Sequence, residues 1–166
     1  MVRSRAPRAA LLGTIAFTLC VPGTVVGFVP SWLAGWKLAP PLLGIAGTRW
    51  AGMALIVLGA PLFFDFVTRF VREGHGTPAP VAPTLHLVVG GPYRRVRNPG
   101  YVAVLAMVVG QGLVYGSATV LLYAAALAVA FHAFVVLYEE PALQAQFGDE
   151  YAAYRAEVPR WLPRLR

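Results

Sequence analysis

The sequence is poor in cysteine and in charged residues, and both shortages exclude whole classes of protein. Cys20 is the only cysteine, which excludes an internal disulfide framework and a metal site built from several cysteine ligands. Charged residues make up 13% of the 166 residues, about half the share of an ordinary soluble domain. Hydrophobic residues instead reach 58%, and the mean hydropathy is +0.64. Because a chain of this size cannot bury so much apolar surface internally, the composition predicts an integral membrane protein.

Acidic residues are also scarce: 7 Asp and Glu stand against 14 Lys and Arg, for a net charge of +7. In a soluble protein such an excess suggests a nucleic-acid partner. In an apolar chain, basic loops more often face the anionic leaflet of a membrane. We therefore expect a membrane as partner and no nucleic acid.

Four apolar stretches predict an all-α fold with about four transmembrane helices, since one span needs about 20 mostly apolar residues. The stretches are residues 9–29, 50–70, 101–115 and 118–138. Arginines precede the first stretch, so a cleaved signal peptide is the alternative there. A short interfacial loop is expected at 30–48, and Gly116 and Ser117 predict a tight antiparallel hairpin of the last two helices. The chain then divides into an N-terminal pair of helices, residues 1–71, and a C-terminal core, residues 72–166.

The basic residues predict the orientation of these helices. If both termini and residues 69–100 lie on one side, only Lys37 and Arg49 of the 14 basic residues remain on the other. Basic residues concentrate on the cytoplasmic side of membrane proteins. We therefore expect a protein of the cytoplasmic (inner) membrane with both termini in the cytoplasm, an arrangement that four spans satisfy.

Residues 72–100 are rich in glycine, proline and arginine and are too polar to cross the membrane. Gly90 and Gly91 permit a close approach of the backbone to a ligand. The pair Asn98-Pro99 predicts that the third helix begins at Pro99, where free backbone N–H groups favour an anion. The alternative is a basic loop that only sets the topology.

Two adjacent carboxylates, Glu139 and Glu140, follow the fourth apolar stretch. At the C-terminal end of a helix they oppose the helix dipole, which favours cations there. We therefore expect a partner for them, either an arginine (Arg94, Arg95 or Arg97) or a cationic ligand. The alternative is a solvated charge pair.

Other polar residues in or near the spans have simpler interpretations. His132 lies deep in the fourth stretch and belongs either to a functional site or to a hydrogen bond between helices. Asp65 and Arg69 are spaced to form an i,i+4 ion pair. His75 and His86 have no metal-ligand spacing, so no metal site is expected.

The charged tail after Glu140 predicts a cytoplasmic amphipathic helix. Its apolar residues recur at spacings of three or four, and they are Leu143, Phe147, Tyr151, Tyr154 and Val158. Such a helix either lies on the membrane surface or covers residues 72–100.

Three elements of the sequence, taken in order, resemble the isoprenylcysteine carboxyl methyltransferase family, which is related to the membrane phospholipid N-methyltransferases. The first is the glycine-, proline- and arginine-rich stretch at residues 91–101, which precedes the helical hairpin. The second is Glu139-Glu140, and the third is the stretch 147–151 followed by Val158-Pro159. The resemblance covers about residues 72–163, and the order and spacing of the elements make it specific.

This resemblance implies a membrane-embedded methyltransferase that depends on S-adenosyl-L-methionine and acts on a lipophilic small-molecule or lipid acceptor. Carried over by position, the cofactor-binding residues are Leu85, His86, Leu87, Val88, Tyr93, Arg97, Asn98, Pro99, Gly100, Tyr101 and Glu140. Glu139 falls on the glutamate that lines the reaction site of the family, which makes it the implied catalytic residue. It would serve as general base if the acceptor must lose a proton.

The chain departs from the family pattern at two positions. The common Arg-His-Pro reads Arg97-Asn98-Pro99 here, and an amide can form hydrogen bonds but cannot ionise. The eukaryotic prenylcysteine enzymes place an arginine where this chain has Val135. The acceptor therefore stays open between a prenylcysteine-type carboxylate and a phospholipid or small amine. A non-enzymatic membrane protein that retains the pocket is a further alternative.

Overall fold

The computed structural model describes residues 21–72 and 86–163, and within this part of the chain the secondary structure is helical, without strands. Five helices follow one another there: α1 Gly23–Leu33, α2 Gly47–Arg72, α3 Pro99–Tyr115, α4 Ala118–Phe134 and α5 Glu140–Glu157. A π-helical segment, Val135–Glu139, joins α4 to α5, and a 3₁₀ turn, Gly91–Arg94, precedes α3. Most of the first predicted span, His75 and Leu85 lie outside the described residues.

Two helical stretches are long and apolar enough to cross a membrane, Gly47–Arg69 in α2 and Ala118–Glu157 from α4 into α5. At about 1.5 Å per residue the first measures about 35 Å, against a hydrocarbon core of about 30 Å. Their large apolar side chains point outward, with Leu58, Leu122 and Leu137 being 71%, 72% and 77% exposed. Apolar faces this exposed are stable against lipid and not against water, which agrees with the membrane class predicted from composition.

The predicted hairpin of α3 and α4 is confirmed. Pro99 occupies the first turn of α3, where a backbone N–H would have no acceptor within the helix, so proline costs no hydrogen bond there. Gly116 ends α3 in the left-handed conformation, with φ +66°, as a C-terminal glycine commonly does. The Ser117 hydroxyl then caps α4 by accepting a hydrogen bond from the backbone N–H of Val120 at 3.3 Å.

Glycines bring α2 and α3 together in the most extensive helix–helix contact among the described residues. A Cβ atom added at Gly52 would lie 2.5 Å from the carbonyl oxygen of Gly110, and one added at Gly110 would lie 2.6 Å from that of Gly52. About two helical turns further along α2, a Cβ atom added at Gly59 would lie 2.9 Å from the Met107 side chain. Small residues of this kind let backbones approach closely where lipid offers no hydrophobic driving force.

The structure corrects the expectation that a helix ends at Glu139 and Glu140, whereas the end of the fourth membrane span at Tyr138 stays a prediction. The helix continues through Val135–Glu139 into α5 and is unbroken as far as Phe147. Pro141 is tolerated because it lies in the first turn of α5, directly after the π-helical segment. The bend comes later, at Gly148, whose φ of +52° is a conformation that favours glycine.

The expected interfacial loop at residues 30–48 also begins later than predicted. Helix α1 runs through Pro30 and Ser31, both buried, to Leu33. Proline is accommodated because it stands in the first turn after the π-helical segment Gly23–Phe28. The Ser31 hydroxyl donates to the carbonyl of Gly27 at 2.9 Å and lies 3.0 Å from the Tyr115 hydroxyl, which attaches α1 to the end of α3.

The predicted ion pair at the end of α2 is confirmed, with Arg69 Nε 3.0 Å from Asp65 Oδ2. Gly91 has a positive φ and lies against the Arg69 guanidinium, so a side chain at Gly91 would overlap it. The positive φ of Gly91 and its lack of a side chain therefore allow this turn to pack against α2. The division of the chain at residues 71 and 72 stays a prediction.

Candidate functional site

A small cavity lies where the segment before α3 meets the junction of α4 and α5. Its volume is about 70 Å³. The residues that line it are Leu87, Val88, Tyr93, Arg97, Asn98, Val135, Glu139, Glu140, Leu143, Tyr151 and Tyr154. The stretch before α3, the π-helical segment and α5 thus contribute jointly, as the antiparallel hairpin predicts.

Glu140 forms the centre of a buried charge cluster beside this cavity. The Arg97 Nη1 donates to Glu140 Oε1 at 2.8 Å, and the Arg160 Nε donates to the same oxygen at 2.6 Å. The Arg160 Nη2 donates to Oε2 at 3.0 Å, so this arginine binds the carboxylate with two hydrogen bonds. The hydrogen bond with Glu140 raises the pKa of the Arg160 guanidinium above its ordinary value. The expectation of an arginine partner for the carboxylate pair therefore holds for Glu140.

Glu139 has a different partner from its neighbour. The hydroxyl of Tyr101, in the first turn of α3, donates a hydrogen bond to Glu139 Oε1. The Tyr101 ring packs on Phe131 of α4, with ring centroids 4.7 Å apart. Within the described part of the chain, Glu139 forms no ion pair with a basic side chain. The Glu139 carboxylate is therefore uncompensated by protein charge.

The C-terminal segment closes over the stretch that leads into α3. The backbone N–H of Arg97 donates to the Pro159 carbonyl at 2.9 Å, and the Asn98 side-chain amide donates to the Arg160 carbonyl at 3.1 Å. From α5, the Tyr154 hydroxyl donates to the Tyr93 carbonyl at 2.8 Å. Of the two alternatives for the amphipathic helix, the structure thus favours covering residues 86–98.

One buried donor beside the cavity lacks a protein partner. The Arg97 side chain is only 10% exposed, and its Nη1 bonds to Glu140 and to the Tyr151 hydroxyl, the latter at 3.1 Å. Its Nε is buried without a hydrogen bond in the described structure. An unsatisfied buried donor costs free energy unless a ligand or water accepts from it. The cavity is therefore lined by a carboxylate that has no cationic partner and by an arginine whose buried Nε–H has no acceptor in the described structure.

The structure brings most of the predicted site residues to this cavity. Those that line it are Leu87, Val88, Tyr93, Arg97, Asn98, Glu139 and Glu140. His86 is exposed and does not line it, and Leu85 lies outside the described residues.

Three predicted cofactor residues lie beside the cavity and not on its wall. Pro99 and Gly100 are buried at the start of α3, where a Cβ at Gly100 would lie 2.9 Å from the ring of Phe66. Tyr101 contacts the site through Glu139. Whether any of these residues binds a cofactor stays a prediction.

Sequence reasoning missed two residues of the C-terminal segment, Arg160 and Trp161. The Trp161 ring lies 6.4 Å from the Tyr101 ring, and its Nε1 donates to Nδ1 of His132 at 3.1 Å. His132 thus makes a hydrogen bond, but with this segment and not with another span. The only sequence signal for Arg160 was the expectation that the carboxylates Glu139 and Glu140 need a cationic partner. No sequence signal pointed to Trp161.

Comparison with known families agrees with this geometry. The family model for phospholipid methyltransferase matches residues 48–150, which span α2, the α3–α4 hairpin, both glutamates and the first part of α5. A search of curated proteins finds no match. The family match covers more than half of the chain and includes every residue that lines the cavity except Tyr151 and Tyr154. The chain therefore belongs to the phospholipid methyltransferase family, a family of membrane methyltransferases.

Proposed function

We propose that the protein is a membrane-embedded methyltransferase that uses S-adenosyl-L-methionine to methylate a lipophilic acceptor. The observation that carries this proposal is a pair of groups at one cavity. The Glu139 carboxylate lacks an ion-pair partner among the described residues, and the nearby Arg97 Nε is buried without a hydrogen bond. The donor molecule has the complementary pair, a sulfonium cation and an amino-acid carboxylate. A cavity with only a structural role would require neither a carboxylate without a cationic partner nor a buried guanidinium N–H without an acceptor.

Glu139 and Glu140 have different electrostatic roles in this proposal. Glu140 is paired with both Arg97 and Arg160, so its negative charge is more than balanced and the three side chains together carry a net positive charge. Glu139 accepts a hydrogen bond only from a neutral phenol and has no cationic partner among the described residues, so a cation beside it would stabilise the ionised carboxylate. The Arg97 Nε favours the carboxylate end of the donor. The remaining wall is apolar, from Leu87, Val88 and neighbouring side chains, and suits the rest of the molecule.

The cavity must widen to admit this donor. Its volume of about 70 Å³ is well below the roughly 300 Å³ at which small-molecule sites begin. The cover is held by a few hydrogen bonds from Arg97 and Asn98 to the C-terminal segment, and α5 bends at Gly148. We expect the donor to bind when the C-terminal segment moves aside. Once this segment closes over the bound donor, it would exclude water from the site.

The bound donor supplies an electrophilic methyl group on sulfur. The chain's own contribution is to hold the donor, align the acceptor and keep water away, which together provide most of the acceleration in such a displacement. Glu139 stabilises positive charge at the reaction centre. It also accepts a proton where the acceptor must lose one, and Tyr101 holds its carboxylate in place.

Val135 is the observation that favours a second acceptor class. It lines the cavity and is 1% exposed, so this position offers no cation for an acceptor carboxylate. A phospholipid or small amine as methyl acceptor is therefore the second candidate beside carboxyl O-methylation. The proposal includes four membrane spans with both termini in the cytoplasm. This topology would bring the cavity to the cytoplasmic surface of the membrane, where a soluble donor arrives.

Transfer of a radiolabelled methyl group tests the proposal. Purified protein in detergent is incubated with [methyl-³H]S-adenosylmethionine and either a bacterial lipid extract or a panel of prenylated thiol acids and lipid amines. We expect label in the lipid phase, with base-labile volatile label indicating an ester and base-stable label indicating N-methylation.

The matched controls use two glutamates of the same helical stretch. Glu139→Gln should abolish most of the transfer, whereas Glu150→Gln, at an exposed position of α5, should leave it unchanged. Absence of transfer to every acceptor, together with absence of donor binding by calorimetry, would overturn the proposal.

A further inference from the structure

One residue of the C-terminal segment, Trp161, makes its contacts away from the cavity that the segment covers. Arg160 binds Glu140 beside the cavity with two hydrogen bonds. The next residue, Trp161, does not line the cavity and instead contacts Tyr101 of α3 and His132 of α4. Adjacent residues of one short segment therefore reach two different parts of the site.

The ring of Tyr101 packs against two other aromatic rings. One belongs to Phe131 of α4, with centroids 4.7 Å apart and an interplanar angle of 37°. The other belongs to Trp161, at 6.4 Å and 61°, which is an edge-on arrangement. Aromatic pairs at such distances and tilts attract each other. These two contacts restrict the ring whose hydroxyl donates to Glu139.

A hydrogen bond in turn fixes the Trp161 ring. Its indole Nε1 donates to Nδ1 of His132 at 3.1 Å, and the centroids of the two rings lie 6.1 Å apart. An indole N–H can only donate, so Nδ1 of His132 must accept and the imidazole proton lies on Nε2. His132 thus supplies the acceptor that orients the indole on α4.

Trp161 also lines a groove, together with Leu62 of α2 and Val102 of α3. The indole therefore stands between this groove and the Tyr101 ring. Without the indole, solvent in the groove would reach the Tyr101 side chain, and water competes with a protein acceptor for a hydroxyl donor. The indole thus restricts the Tyr101 ring and also shields it.

We propose that Trp161, oriented by His132, is a positioning residue that holds Tyr101 and through it the Glu139 carboxylate. The proposal rests on the proposed function, in which Glu139 lies at the reaction centre. It gives a second role to the segment that covers the donor. When Arg160 and its neighbours close over the donor, Trp161 reaches Tyr101, so closure also completes the orientation of the carboxylate.

A split between donor binding and turnover tests this role. Trp161→Ala removes the ring and its hydrogen bond. Trp50→Ala is the matched control, because Trp50 is 72% exposed near the start of α2. Calorimetry measures the affinity for S-adenosylhomocysteine, and radiolabel measures methyl transfer to the bacterial lipid extract at saturating donor.

We expect turnover in Trp161→Ala to fall by up to about tenfold, with the affinity for S-adenosylhomocysteine within about threefold of the unmodified protein. Added to Tyr101→Phe, the substitution should cause little further loss, because both residues act through the same carboxylate. Unchanged turnover in Trp161→Ala would overturn the proposal. So would a loss of affinity as large as the loss of turnover, which is the result for a residue that only holds the cover.

Two substitutions of His132 separate the hydrogen bond from general packing. His132→Leu removes the acceptor, whereas His132→Asn keeps an acceptor oxygen at the δ position. We expect lower turnover in the leucine variant and recovery toward the unmodified rate in the asparagine variant. Equal turnover in the two variants would overturn the proposed role of the hydrogen bond to Trp161.

A fluorine label on Tyr101 tests the same contact without methyl transfer. The residue is replaced by 3-fluorotyrosine, and the fluorine NMR spectrum is recorded in dodecylmaltoside micelles. We expect the same resonance in the unmodified protein and in Trp50→Ala, and a displaced or broadened one in Trp161→Ala, because the ring has lost its edge-on neighbour. An identical resonance in Trp161→Ala would overturn the proposal. A displaced resonance in a protein that neither binds the donor nor transfers a methyl group would support the contact and refute the proposed function alone.

Discussion

The hydroxyl of Tyr101 donates a hydrogen bond to the carboxylate of Glu139, joining the first turn of α3 to the last residue of the π-helical segment. The two residues are 38 positions apart, and the α3–α4 hairpin brings them together. A π-helical segment widens one turn of a helix and often lies at a functional site. Here it ends at the carboxylate that the family resemblance marks as catalytic.

Tyr101→Phe removes this hydrogen bond but keeps the ring that packs on Phe131. We expect turnover to fall about tenfold, because the Glu139 carboxylate loses the group that orients it. Donor affinity should stay within about threefold of the unmodified protein, because Tyr101 does not line the donor cavity. The measurement is a pair of saturation curves for donor and acceptor.

The companion experiment is a double-mutant cycle of Tyr101→Phe with Glu139→Gln. If the tyrosine acts through the glutamate, the double variant should be no slower than Glu139→Gln alone. Independent, multiplying effects would show that Tyr101 acts in another way.

Glu140→Gln should destabilise the protein, because it leaves Arg97 buried and deprives two arginines of their anion. Breaking a buried pair by removing one charge costs about 3–5 kcal/mol. The midpoint of thermal unfolding in detergent should therefore drop clearly. Glu150→Gln removes the same charge from an exposed position of α5 and should leave the midpoint unchanged. Equal midpoints for the two variants would mean that the cluster contributes little to stability.

The close approach of α2 and α3 depends on glycine at two facing positions. Gly52→Ala would place a methyl group 2.5 Å from the Gly110 carbonyl oxygen, so the helices must separate. We expect a loss of about 1–3 kcal/mol in the free energy of unfolding, measured by denaturant titration in mixed micelles. Gly23→Ala, where a Cβ meets open space, is the control and should be neutral. An equally stable Gly52→Ala variant would show that this packing can relax.

Local chemistry made several features predictable from the sequence. The Asn98-Pro99 pair sets the start of α3, Gly116 and Ser117 set the turn of the hairpin, and the spacing of Asp65 and Arg69 sets their ion pair. Each of these depends on residues within a few positions of one another. The same holds for the apolar stretches, whose length alone indicates helices that cross a membrane.

Other features depend on contacts that no local pattern encodes. Helix continuation past Tyr138 was hidden because the carboxylates Glu139 and Glu140 and the charged tail indicated a helix end. No local pattern shows the π-helical segment that joins α4 to α5. The position of Arg160 depends on a chain reversal after α5 that returns the segment to Asn98. The groove lined by Leu62, Val102 and Trp161 could not be predicted either, because its wall combines α2, α3 and the C-terminal segment.

The cavity beside Arg97 and Glu139 is the proposed binding site of the methyl donor. Leu87→Trp fills this cavity from its apolar wall, whereas Leu122→Trp adds the same side chain to an exposed, lipid-facing position of α4. The direct measurement is calorimetric titration of both variants and the unmodified protein with S-adenosylhomocysteine. We expect the affinity to fall by about tenfold or more in Leu87→Trp and to stay unchanged in Leu122→Trp. Unaltered binding in a folded Leu87→Trp protein would contradict the claim and place the donor elsewhere.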